Sequence, residues 1–105
     1  MAFKKEIDTE QANTCNLSID EDITIYTIET LKQSLSDEID QYQHFNLSLQ
    51  NVEEFDSAGV QLLLAFNSEL ASKQKTLQIS HISSQVNKLL NDYELIDRFN
   101  LGNTP

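Results

Sequence analysis

An aspartate and a serine stand side by side at Asp56-Ser57, followed by Ala58 and by Gly59, one of only two glycines in the chain. Behind them Val60, Leu63, Leu64 and Phe66 recur at helical spacing, and Leu70 and Ala71 continue the stripe. The pair therefore sits where a helix begins and where side-chain oxygens are wanted for orphan N–H groups. A hydroxyl at such a place has two uses. It can cap the helix, which on residue types alone is the first expectation for Ser57, or it can carry a phosphate that the helix N-terminus welcomes. Gly59 costs ~1 kcal/mol relative to Ala inside a helix, so its presence implies that something approaches the backbone closely.

Other chemistries find less support. Ser57 as a nucleophile needs a base, and no histidine stands near it in sequence. His44 and His81 flank apolar alternating stretches, and Asp40 lies four residues before His44. One such pair is no ligand set, so both histidines read as loop residues. Glu53, Glu54 and Asp56 lack a bidentate partner at loop spacing and read as a solvated turn. No glycine-rich phosphate loop is present. The expectation is a binding protein with no catalytic residue, no metal and no cofactor.

Bulk composition narrows the partners. Seventeen acidic residues against seven basic ones give a formal charge of −10, which argues against nucleic acid and against insertion into or binding on anionic membranes. A single cysteine, Cys15, excludes an internal disulfide and fits a reducing compartment. It falls in register with Leu17 and Ile19, as core filler. Residues 1–8 hold no apolar signal core, and the run from Val60 to Phe66 is too short to span a bilayer. These features predict a soluble, cytoplasmic protein. Its 105 residues suit one domain that buries roughly 65% of its unfolded surface.

Elements that would position Asp56 and Ser57 follow from periodicity. Residues 1–12 are weakly patterned, with Phe3 and Ile7 suited to an edge strand. Cys15, Leu17 and Ile19 alternate with polar residues as a half-buried strand. Ile23 to Tyr26 is rich in β-formers and fits a short strand. Ile28, Leu31, Leu35, Ile39 and Tyr42 form a helical stripe behind Thr27, the expected N-cap. Phe45, Leu47 and Leu49, then Leu77 and Ile79, mark two more alternating strands around the helix at about 58–73. Lys73-Gln74-Lys75 suits that helix's C-terminal dipole. Ser83 or Ser84 can cap a helix bearing Val86, Leu89, Leu90 and Tyr93, and a short element with Leu95, Ile96 and Phe99 closes the domain. Strand and helix in alternation predict an α/β fold with a mostly parallel sheet. Strands apolar on one side only predict two layers, with the main helices on one face. The domain is expected over residues 13–100, with 101–105 as a tail.

The stretch from Asp56 to Leu63 resembles the D-S-x-G-(apolar)-x-x-(apolar) signature of STAS domains, the family of bacterial anti-sigma factor antagonists. Thr27-Ile28-Glu29-Thr30-Leu31-Lys32 is similar to the family's T-A-E-x-L-K helix start. Ser83 to Leu90 is similar to its S-P-x-V-x-x-x-L stretch, and Tyr93 to Phe99 to its G-L-x-x-x-F ending. Four matches in order cover roughly residues 15–99.

The resemblance implies a small α/β domain in which Ile23 to Tyr26 is a connection or short extension. It implies that Ser57 is phosphorylated by an anti-sigma factor with GHKL-type serine kinase activity and restored by a PPM-type serine phosphatase. The unmodified form would bind the anti-sigma factor through Thr24, Asp56, Ser57, Ala58, Gly59 and Gln61. Departures fall on the contact surface: Glu21 replaces a Gly, Thr24 an Asp that helps bind the kinase, and Ser48 an Asp or Asn. The alternatives are a constitutive subunit of a lipid-transport ABC complex, whose members often carry Thr at the acceptor position, and a nucleotide-binding domain. The missing phosphate loop and the −10 charge disfavour the latter.

Overall fold

The computed structural model describes residues 4–7, 13–95 and 99. Within them the order is β1 (Lys4–Ile7), β2 (Thr14–Ser18), α1 (Ile28–Ile39), β3 (His44–Leu49), α2 (Ser57–Ser72), β4 (Thr76–Ile82) and α3 (Ser84–Asp92). The four strands form one sheet in the order β1-β2-β3-β4. The first pair is antiparallel and the other two are parallel, each crossing over through a helix.

Register explains the alternation read from sequence. Cys15, Phe45 and Leu77 lie in one row across the sheet, and Leu17, Leu47 and Ile79 in another. All six are buried. Between them runs a half-buried polar row, Asn16-Asn46-Gln78, in which the Asn46 amide donates to Asn16 Oδ1 at 2.8 Å. Leu31, Leu35 and Ile39 of α1, Val60, Leu63, Phe66 and Leu70 of α2, and Val86 and Leu90 of α3 join the apolar rows in one core. Helices therefore cover one face, and polar side chains occupy the other. Leu47, Leu49, Leu63 and Leu77 share that core as expected. Leu89 packs half-buried at its margin, while Leu90 is fully inside. A bulge after Leu47 leaves Ser80 between two paired residues and lets β4 run to Ile82.

Three local expectations are corrected. Ile23 to Tyr26 is no strand: Ile23 makes a single parallel bridge to Phe55, and a turn follows. Thr27 occupies the N-cap position of α1 without capping it. Its hydroxyl instead donates to Asp22 O at 2.8 Å and accepts from Thr24 N–H at 3.0 Å, closing that turn. Lys75 does not serve the C-terminus of α2. Its ammonium reaches across to the carbonyls of Ile39 and Tyr42, just where α1 ends. Ser83, rather than Ser84, caps α3 through Val86 N–H at 3.3 Å. Of the closing element, Leu95 is half-buried and Phe99 buried, whereas Ile96 lies outside the described residues, as do Phe3 and the 101–105 tail.

The C-termini of α2 and α3 both adopt a Schellman geometry without glycine. Gln74 (φ 60°) and Glu94 (φ 57°) take the left-handed position. Lys75 N–H then bonds Leu70 O at 2.8 Å, and Leu95 N–H bonds Leu90 O at 2.8 Å. Glu94 thus performs the turn for which a glycine is usual.

Leu63 is fully buried, so Leu63→Ala is expected to cost ~2–5 kcal/mol in urea unfolding, through lost burial and a cavity. Lys75→Met should cost ~1–3 kcal/mol, because it leaves two partly buried carbonyls without their charged donor.

Candidate functional site

Two loops meet at the start of α2: the β2–α1 connection and the β3–α2 connection. Backbone bonds zip them together, with Ile23 N–H to Glu54 O at 2.9 Å and Asp56 N–H to Ile23 O at 3.3 Å. Asp22 Oδ1 adds a bond from Glu54 N–H at 3.2 Å. The seam is anchored from below by Ile23, Val52 and Phe55, all buried.

Asp56 is the N-cap of α2. Its Oδ1 accepts from Ala58 N–H at 2.9 Å and, more weakly, from Gly59 N–H at 3.4 Å. Its Oδ2 accepts from Ile25 N–H at 3.1 Å in the opposite loop. One carboxylate thus satisfies donors on both sides of the seam, and its charge favours the positive end of the helix.

Ser57 is consequently not the cap, contrary to the first expectation from residue types. It is the first residue of the helix, exposed, and no partner for its hydroxyl occurs among the described residues. Capping has gone to the neighbour with two oxygens, and the serine is left chemically free. Gln61 lies one turn on, exposed on the same side of α2. Ala58 is half-buried.

Gly59 is buried, and what approaches it comes from inside the protein. A Cβ there would lie 2.5 Å from Phe55 Cε1 and 3.0 Å from Ile23 O. Gly59 lets α2 sit directly on the seam; it offers no bare backbone to a ligand.

Above the seam lies an open basin of about 530 Å³ lined by Thr24, Tyr26, Glu53, Glu54, Asp56 and Gln85. Thr24 is half-buried, its hydroxyl accepting from Tyr26 N–H at 3.3 Å. The structure therefore gathers Thr24, Asp56 and Ser57 at one end of the domain, with Gln61 beside them and Gly59 beneath. Sequence reasoning missed Ile25, Tyr26 and Gln85. The β propensity of the first two predicts a strand, which hides them. The available signal was the pair Thr24 and Thr27 bracketing them, since threonines at that spacing favour a hydrogen-bonded turn.

Among the described residues no cluster of three or more His, Cys, Asp or Glu could hold a metal ion. No described helix is long and apolar enough to cross a membrane.

A family model described as "Mlab, STAS domain" matches residues 8–100, and the chain belongs to the STAS domain family. Its fold is that of anti-sigma factor antagonists of known structure. A Mycobacterium paratuberculosis anti-sigma factor antagonist superposes with a TM-score of 0.80 at 18% identity, over 97% of this chain and 86% of that one. The anti-sigma factor antagonist SpoIIAA in its unphosphorylated form gives 0.72 at 21% identity, over 90% and 82%. The Bacillus cell fate determinant SpoIIAA in its phosphorylated form gives 0.69 at 19% identity, over 90% and 85%. Among curated proteins, none matches the sequence.

Three substitutions separate the roles at this site. Asp56→Ala should cost ~1–2 kcal/mol, since it removes the cap of α2 and the bond that ties the Ile25 amide to it. Ser57→Ala should change stability by less than about 0.5 kcal/mol. Gly59→Ala gains up to ~1 kcal/mol in helix propensity but must displace a buried ring, at ~1–3 kcal/mol. A net loss is expected, and thermal unfolding of the three variants checks all of these.

Proposed function

We propose that this protein is a regulatory binding module of the anti-sigma factor antagonist type, switched by phosphorylation of Ser57. The observation that carries the reading is the free hydroxyl. Ser57 stands exposed on the first turn of α2, and the cap beside it is complete without it. A phosphate could be added or removed there without dismantling the fold. Membership of the STAS family and the shared fold with SpoIIAA in both its forms support the same reading. The proposed partner is an anti-sigma factor with GHKL-type serine kinase activity, met in the cytoplasm, with a PPM-type phosphatase resetting the switch. The chain itself performs no catalysis in this scheme.

Magnitudes indicate how the switch works. A phosphate adds ~1.5 to 2 negative charges at neutral pH, next to Glu53, Glu54 and Asp56. Within the domain the helix N-terminus offsets part of that charge, so the fold changes little. At an interface the same charge must be desolvated, and like-charge contact costs several kcal/mol. Each ~1.4 kcal/mol is a tenfold loss of affinity. Exclusion from the partner therefore outweighs internal rearrangement.

The second reading is a constitutive subunit of a lipid-transport ABC complex, and the "Mlab" description of the matching family model favours it. Calorimetric titration against an anti-sigma factor of the proposed GHKL-type kinase class separates the two. Under the switch, Ser57→Asp binds at least ~tenfold more weakly than the unmodified protein, while Ser57→Ala binds as tightly and accepts no phosphate. Equal binding by all three forms, with no phosphate gained at Ser57, would leave the constitutive subunit.

A further inference from the structure

Along the seam between α1 and α2 two small side chains, Ser36 and Ala65, line opposite walls, and both are exposed. The seam stays open as a groove of about 340 Å³, within the range of small-molecule sites, roughly 300–1,000 Å³. Its floor is apolar, made by Leu35 and Ile39 of α1 with Leu62 and Phe66 of α2. One end is closed: Lys73 and Asp40, the C-caps of α2 and α1, meet there at 3.3 Å. Lys32 lines the groove two turns earlier on α1 and therefore stands toward the other end. Its ammonium is exposed and has no partner among the described residues. Every other lysine whose side chain is described is engaged. Lys73 meets Asp40 and Glu69, Lys75 holds two carbonyls, and Lys88 meets Asp92 at 3.2 Å.

We propose that this groove binds a single-chain aliphatic carboxylate, its head on Lys32 and its tail along the apolar floor. An apolar surface with one charged group at its mouth suits an amphiphile. The Lys73–Asp40 bridge crosses the seam, so a tail that ends in a methyl group fits, whereas a helix or peptide running through does not. Charge selects the head. One ammonium balances one negative charge. Glu69 lines the groove and Glu29 lies one turn before Lys32, which disfavours a doubly charged phosphate. The chain's net charge of −10 acts weakly at the mouth, because exposed charges beyond about 8 Å are screened at physiological salt. This binding uses neither Ser57 nor a kinase, so it stands or falls apart from the switch.

The full chain, isotope-labelled, is titrated with decanoate below its aggregation concentration and followed by amide chemical shifts. Saturable shifts at Ser36, Ala65 and Glu69 are expected. Ala65→Leu keeps helix propensity at an exposed position and fills the groove, so it should weaken binding at least tenfold. Lys32→Glu should do the same. Lys88→Glu changes net charge equally but lies on α3, outside the groove, and should bind within threefold of the unaltered protein. Thermal unfolding confirms that each variant is folded. Absence of saturable shifts at Ser36 and Ala65 would overturn the site, as would binding of Ala65→Leu or Lys32→Glu within threefold of the unaltered protein. Shifts of the same amides on diluting the protein without decanoate would place a second copy in the groove, and overturn it too.

Discussion

Everything at the candidate site of this domain depends on one carboxylate. Asp56 faces two sets of amide donors that belong to different loops, Ala58 and Gly59 on one side and Ile25 on the other. A side chain with a single acceptor could satisfy only one set and would leave the two loops unfastened. Because Asp56 takes both, the β2–α1 turn is fastened to the start of α2. Ser57 has no structural duty as a result. The free hydroxyl and the fixed turn are two consequences of the same interaction.

Beneath it, the packing is arranged to leave that end undisturbed. Phe55 and Ile23 press against Gly59 so closely that no Cβ fits, which sets the height of α2 over the sheet. Lys75 performs a similar office at the other end, closing α1 across a gap of more than thirty residues of sequence. By contrast, Lys73 meets Asp40 at 3.3 Å and Glu69 at 3.4 Å on an exposed surface, where ion pairs contribute little. Of two lysines two residues apart, the one that matters is the one that satisfies backbone.

Layers, strand order along the chain and the core were legible in the sequence, because alternation and helical stripes report burial directly. Phe45, Leu47 and Leu49 could face only one way once the sheet had one covered side. What was not legible is instructive. Ile25 and Tyr26 have strand propensity and no strand, since the hydroxyls of Thr24 and Thr27 close a turn that propensity does not register. Asp56 and Ser57 are both good caps, and adjacency alone cannot say which is used; the second acceptor demand, from Ile25 thirty-one residues away, favours aspartate. Gly59 signalled a close approach correctly in kind, yet its source lay inside the fold. Gln74 and Glu94 in left-handed geometry run against the usual glycine and could not be foreseen from composition.

The most direct measurement of the central claim, that Ser57 is the hydroxyl set free for modification, is phosphate mapping. The protein is incubated with ATP and an anti-sigma factor of the proposed GHKL-type kinase class, digested and sequenced by tandem mass spectrometry. Thr30, Ser36, Ser68, Ser72 and Ser84 are also exposed and serve as internal competitors. The account predicts a single phosphate, on Ser57, that a PPM-type phosphatase removes. Phosphate on any of the competitors with Ser57 unmodified would contradict it.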